Sequence, residues 1–177
     1  DSVSFELKQT ISIIQFIQEQ LDDVEKRIKE ILKEINSPIL SIPGISFKTA
    51  GSILAEIGDI SRFDSPAKLL AFAGLDPSMY QSGKFFSTHS VMVKRGSKYL
   101  RFALMTAARM VCMNDATFNE FKNRKIAEGK HYFVAMGHVA KKLVRVIYYL
   151  LKKAAAQKFR RSFLFGLSDK LKLCGAL

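Results

Sequence analysis

The chain has 177 residues, 48% of them hydrophobic and 25% charged, and a formal net charge of +12. It is long enough for one substantial core, and no apolar stretch reaches the ~20 residues of a membrane span without an interrupting Lys or Arg. Two distant cysteines, Cys112 and Cys174, form no C-x-x-C pair and indicate a reducing, cytoplasmic setting; together with His89, His131 and His138 at no ligand-like spacing, they argue against zinc.

The charge is unevenly placed. Residues 1–36 hold eight acids and five bases, whereas the remainder holds eight acids and 23 bases. A body this basic behind an acidic segment fits a polyanionic partner, nucleic acid above others. The start, Asp1-Ser2-Val3-Ser4-Phe5, has neither an initiator Met nor a signal-peptide pattern and reads as the interior of a longer chain.

Residues 1–36 predict one helix. Leu7, Ile14, Leu21, Ile28 and Ile35 fall seven apart, and Thr10, Ile17, Val24 and Ile31 lie three further on. This is the a/d seam of a coiled coil, flanked by charge from Glu19 onward and widened near its start by Ile11, Ile13 and Phe16. Homo-oligomerisation through residues 1–36 is the expectation, and an intramolecular helical hairpin is the alternative. Asn36-Ser37-Pro38 ends the helix.

Residues 39–58 predict a helix-hairpin-helix. A short helix leads into Pro43-Gly44, and a second helix rich in small residues follows from Thr49. Gly44 supplies the positive φ of the turn. The opening of the second helix, with Gly44, Ser46 and Lys48, is a candidate phosphate contact. The same hairpin also serves as a plain packing unit in helical domains. Glu56 and Asp59 suit a helix-end and capping role better than a metal pair.

Ser65-Pro66 starts a short helix over Pro66–Ala73 that stops at Gly74. Residues 76–97 lack helix signals, and Tyr80–Phe86 and Ser90–Val93 are expected to pair as a small hairpin. A loop of this length within a compact domain is usually functional. It sets Ser82 beside Gly83 and Lys84, and Lys94, Arg95, Lys98 and Arg101 follow. A hydroxyl among cations suits attack on a phosphodiester, since the nucleophile needs activation and the phosphate oxygens need positive charge. Ser-Gly is equally an ordinary turn step, and neighbouring loop serines compete with Ser82, so the residues alone leave both readings open. Tyr80 is a weaker rival nucleophile, without the His and Arg neighbours of tyrosine recombinases.

Further helices are predicted over Tyr99–Met113, from Thr117 to Glu128-Gly129, and over 133–156. The last shows Lys141, Lys142, Arg145, Lys152 and Lys153 opposite its apolar face, a basic surface suited to backbone contact without base readout. The expected fold class is mainly α: a long N-terminal coiled-coil helix (1–36), a compact helical domain (38–153) with a helix-hairpin-helix and a small β-hairpin or irregular loop insertion, and a less patterned basic tail (154–177).

The ordered set Ile42-Pro43-Gly44-Ile45, Glu56–Phe63, Leu70–Pro77, Gln81-Ser82-Gly83-Lys84, Lys94–Arg101 and Ala140–Arg145 resembles the C-terminal transposase domain of the insertion-sequence family one-hundred-and-ten, the Piv- and MooV-like recombinases. The resemblance covers roughly residues 38–153. It implies DNA recombination, with Ser82 as the family's serine nucleophile. It further implies an N-terminal RuvC-like domain, absent from these residues, whose four acidic side chains hold magnesium, a site composed between protomers, and a structured guide RNA as partner beside DNA. No metal ligand is carried over to this chain, and no membrane partner is expected. A reading of another class remains beside it: a non-catalytic DNA- or RNA-binding and dimerisation module.

Overall fold

A computed structural model describes residues 2–77, 81–82, 85–86 and 92–174, with 81–82, 85–86 and 158–174 described by backbone alone. The chain divides into two units, residues 1–36 and 37–177.

The first unit is a single helix, α1 (Ser2–Ile35). Nothing in its 34 residues breaks a helix, for neither Pro nor Gly occurs there. Side-chain bonds at helical spacing support its surface, Gln18 to Asp22 at 2.9 Å and Arg27 to Glu30 at 3.3 Å. The apolar seam expected from the sequence is present, and Leu7, Ile14, Ile17, Leu21 and Val24 stand exposed along it. Asn36 ends the helix in the left-handed region at φ 48°, with its N–H bonded back to Leu32 O at 3.1 Å.

The second unit begins with a 3-10 turn (Pro38–Ser41), followed by α2 (Phe47–Ile57), a 3-10 turn (Ile60–Arg62) and α3 (Pro66–Phe72). Two short strands follow, β1 (Gln81–Ser82) and β2 (Phe85–Phe86), then α4 (Lys98–Asn114), α5 (Ala116–Ala127) and α6 (Tyr132–Cys174). α4 is the central element and packs against α2, α5 and α6. Its buried face is Leu100, Ala103, Leu104, Ala107, Ala108 and Val111, and the alanines let neighbouring helices approach closely. From α6, Val139, Ala140, Leu143, Val144 and Ile147 are fully buried. Tyr148 Oη donates to Phe63 O at 3.1 Å, pinning α6 to the connector before α3. Ser46, Ser65, Ser97 and Asp115 each cap a helix by accepting from the N–H three residues on.

Three details depart from the sequence expectation. The first arm of the expected helix-hairpin-helix is only a four-residue 3-10 turn, because Pro38 opens it and Pro43 lies too near for an α-helix to develop. The strand pair forms within one segment: Ser82 opposes Phe85 and Gln81 opposes Phe86. Met92 bridges Pro77, and residues 90 and 91 of the expected second arm lie outside the described residues; Gly83 and Lys84 alone separate β1 from β2 in the sequence, and so short a connector favours local pairing. Finally, α6 continues to Cys174 rather than ending near residue 156, since no Pro interrupts it and an isolated glycine such as Gly166 costs only ~1 kcal/mol. Among the described residues, no helix is long and apolar enough to cross a membrane.

Candidate functional site

The segment carrying Ser82 leaves and rejoins the helical body through a narrow neck. α3 closes with a paired C-terminal turn, in which Gly74 N–H reaches Ala71 O at 2.9 Å and Leu75 N–H reaches Leu70 O at 3.2 Å. Gly74 takes φ 65° there. The departing and returning strands then bond across, Val93 N–H to Asp76 O at 2.9 Å and Lys94 N–H to Gly74 O at 3.2 Å, ahead of the Pro77–Met92 bridge. Lys94 is held at φ 55°, a conformation a lysine adopts only where its surroundings impose it. Ser97 N–H then reaches Phe72 O at 2.8 Å, and α4 begins.

Two glycines make this closeness possible. A Cβ on Gly74 would stand 2.2 Å from Arg95 O, and one on Gly96, at φ 111°, would stand 2.2 Å from Phe72 O. Arg101 adds a cross-tie: its Nη1 donates to Lys94 O at 3.0 Å and to Ala73 O at 3.3 Å. Ser97 adds another, accepting from Leu100 N–H at 3.0 Å while donating to Glu56 Oε2 at 2.6 Å. Thus α2, α3 and α4 all hold the root of the segment.

Ser82 lies on β1 opposite Phe85, and its side chain lies outside the described residues, as do Gly83, Lys84 and Tyr80. Lys94, Arg95 and Lys98 are exposed at the neck and the first turn of α4, with Lys98 Nζ 5.0 Å from the Tyr99 ring. Arg101 is half-buried, and one of its nitrogens is committed to backbone carbonyls.

Gly44, Ser46 and Lys48 belong to a different place. Gly44, at φ 89°, presses on Met110: an added Cβ would stand 2.5 Å from Met110 O. That contact lies twelve residues along α4 from Lys98, or ~18 Å at the helical rise. The two candidate phosphate sites therefore sit toward opposite ends of α4. Ser46 already caps α2, accepting from Thr49 N–H at 3.2 Å.

Glu56 and Asp59 serve structure. Glu56 receives the Ser97 hydroxyl. Asp59 accepts from the hydroxyl and the N–H of Ser61, which hold its carboxyl below the usual carboxylate range. The basic face of α6 also divides. Lys142 Nζ lies 4.8 Å from the Phe118 ring and 4.9 Å from that of Phe121, and Lys152 packs on Tyr148, whereas Arg145 and Lys153 are exposed. Burial lowers the Lys141 ammonium, which Asp76 partly offsets.

The sequence reading missed the Ser97–Glu56 bond and the carbonyl-binding role of Arg101. These join residues 41 and 28 apart, respectively, and only the glycines bracketing the loop, Gly74 and Gly96, hinted at a close approach of backbones.

The family model described as transposase IS116/IS110/IS902 matches residues 36–124, half of the chain. The chain belongs to the IS116/IS110/IS902 transposase family. The family match spans α2, α3, the neck, the Ser82 strand pair, α4 and most of α5. Among relatives, an uncharacterized 43.6 kDa protein of insertion element IS110 from Streptomyces coelicolor is 31% identical over 140 residues, covering 77% of this chain and 34% of that protein. The pilin gene-inverting protein of Moraxella bovis is 32% identical over 138 residues, 76% of this chain and 43% of its own length. A transposase for insertion sequence element IS1111A from Coxiella burnetii is 37% identical over 93 residues, 51% of this chain and 25% of its own. This member of the family thus spans less than half the length of each of these relatives.

Proposed function

We propose that this chain is the serine-bearing part of a DNA transposase, and that Ser82 attacks a DNA phosphodiester. The observation that carries the proposal is the neck. A family-matched segment holding Ser82 is rooted by cross-ties from three helices, and Lys94, Arg95 and Lys98 stand exposed at its base. In the proposed step the Ser82 oxygen bonds to phosphorus as the bond from phosphorus to one deoxyribose oxygen breaks. The serine proton passes to a base, and the departing oxygen ends as a hydroxyl. The new phosphoserine ester conserves the bond for rejoining, when a deoxyribose hydroxyl attacks it and the serine leaves. Lys84, Lys94, Arg95 and Lys98 offset the charge building on the phosphate oxygens. Arg101 holds the neck closed behind them, its remaining nitrogens being candidates for the same phosphate.

Among the described residues, no three His, Cys, Asp or Glu side chains come together as a metal site. Magnesium belongs, on the family resemblance, to a RuvC-like domain, which fits the greater length of the relatives. A structured guide RNA rests on the same resemblance and on the basic surplus of residues 37–177. The turn at Gly44 and the start of α2, with Ser46 and Lys48, supply a second backbone-phosphate contact in the manner of a helix-hairpin-helix. The exposed seam of α1 pairs copies of the chain, bringing two Ser82 segments into one assembly. A prokaryotic cytoplasm is the setting the family resemblance implies.

The test is covalent capture. With Ser82→Ala in the full-length protein, the denaturant-resistant protein–DNA adduct disappears while DNA binding persists. An adduct that survives the substitution refutes the role of Ser82. A wild-type protein that binds DNA and forms no adduct supports the second reading, a binding and dimerisation module, which the exposed cations favour equally.

A further inference from the structure

α4 and the first turn of α6 enclose an open cleft of about 550 Å³, lined by Phe102, Met105, Thr106 and Arg109 from α4 and by Tyr132 and Phe133 from α6. The α4 residues recur at spacings of three, one and three, a second stripe beside the one that builds the core. Phe102 is 74% exposed and Phe133 70% exposed, so neither ring is needed to close the core. Phe133 is nevertheless held, lying near-parallel to His131 with centroids 5.6 Å apart and edge-on to Tyr132 at 5.5 Å.

Arg109 is the one charged residue among the described residues lining the cleft, and the two helices that form it are basic. α4 carries Lys98, Arg101 and Arg109 and no acid; α6, from Tyr132 to residue 157, carries Lys141, Lys142, Arg145, Lys152 and Lys153 and no acid. Aromatic faces beside an arginine, on helix segments without a carboxylate, suit a polyanion that also presents flat apolar surfaces. A duplex keeps its base faces inside its own stack. An unpaired strand offers them, stacking on exposed rings while its phosphates meet the cations.

We propose that this cleft seats unpaired bases of a single DNA strand, with Phe102 and Phe133 as the stacking platforms and Arg109 as the phosphate or base-plane contact. The choice of DNA rests on the function proposed above, in which duplex strands are opened and rejoined. The cleft itself does not depend on Ser82.

The chain has no tryptophan, so Phe102→Trp places a single reporter in the cleft. In the 177-residue chain, titration with a 20-nucleotide oligo-dT is expected to quench that emission saturably, and a duplex of equal length to leave it nearly unchanged. Adding Phe133→Leu and Arg109→Gln is expected to weaken oligo-dT binding at least about tenfold, since each stacked base contributes roughly 1–3 kcal/mol. Both residues lie outside the core, and an unchanged thermal transition checks that the variants fold. Four results overturn the proposal: bound oligonucleotide with unaltered tryptophan emission, affinity unaffected by the paired substitutions, a clear preference for oligo-rU over oligo-dT, or quenching produced by raising protein concentration alone, which marks a protein interface. Loss of adduct formation in Ser82→Ala with the quenching intact separates this cleft from the reaction, and failure of the quenching leaves the adduct test standing.

Discussion

Gly74 and Gly96 govern the neck more than any charged residue in it, because a side chain at either would collide with a backbone carbonyl. Gly96→Ala is therefore expected to destabilise the chain by ~2–4 kcal/mol, combining a φ of 111° with an unavoidable contact, as read from urea unfolding. His138 gives a pH dependence. Burial, then Lys141, Lys125 and Lys130, hold its imidazole below the ordinary 6.5. The folded chain thus takes up this proton less readily than the unfolded chain. The stability it contributes is complete above about pH 6.5 and is lost as pH falls through the folded value. His138→Gln should flatten the loss of stability between neutral and mildly acid pH, measured as the denaturation midpoint against pH. At this scale the sequence showed which residue types matter and not which partners they take. Lys94, Arg95, Lys98 and Arg101 read as one cationic set, yet Arg101 alone turns inward to two carbonyls, a choice set by where α3 ends.

At the scale of elements, periodicity carried most of the information. The seven-residue seam located α1, and the run of Leu100, Ala103, Leu104, Ala107 and Ala108 marked α4 as the central helix. Local rules failed where two of them competed. Pro38 and Pro43 together shortened a helix to a 3-10 turn, and β1 pairs with β2 across the short Gly83-Lys84 connector. α6 runs beyond its patterned part: a basic run with weak apolar periodicity reads as a tail, although nothing in it breaks a helix. Ser97 joins elements that the sequence keeps apart, capping α4 while binding Glu56 of α2. Ser97→Ala should lower stability by ~1–2 kcal/mol through loss of the cap and of the Glu56 contact. Hydrogen exchange should show the first turn of α4 loosening before the remainder of that helix.

For the whole molecule, charge and the exposed seam set the expectations. A body with 23 bases and eight acids beyond residue 36 should bind DNA with an affinity that falls steeply between low and physiological salt. α1 leaves Leu7, Ile14, Ile17, Leu21 and Val24 uncovered, a surface that a single soluble helix does not sustain by itself. If the seam pairs copies as proposed, wild type sediments as an oligomer and Ile14→Asp with Leu21→Asp as a monomer at sedimentation equilibrium, leaving the thermal transition of the second unit in place. The measurement that bears most directly on the account is peptide mass spectrometry of the adduct formed by the full-length protein with its DNA, after nuclease digestion. A nucleotide phosphoester is expected on the peptide containing Ser82, attached at that residue. A phosphoester mapped to Tyr80 or to another serine of the loop would contradict it.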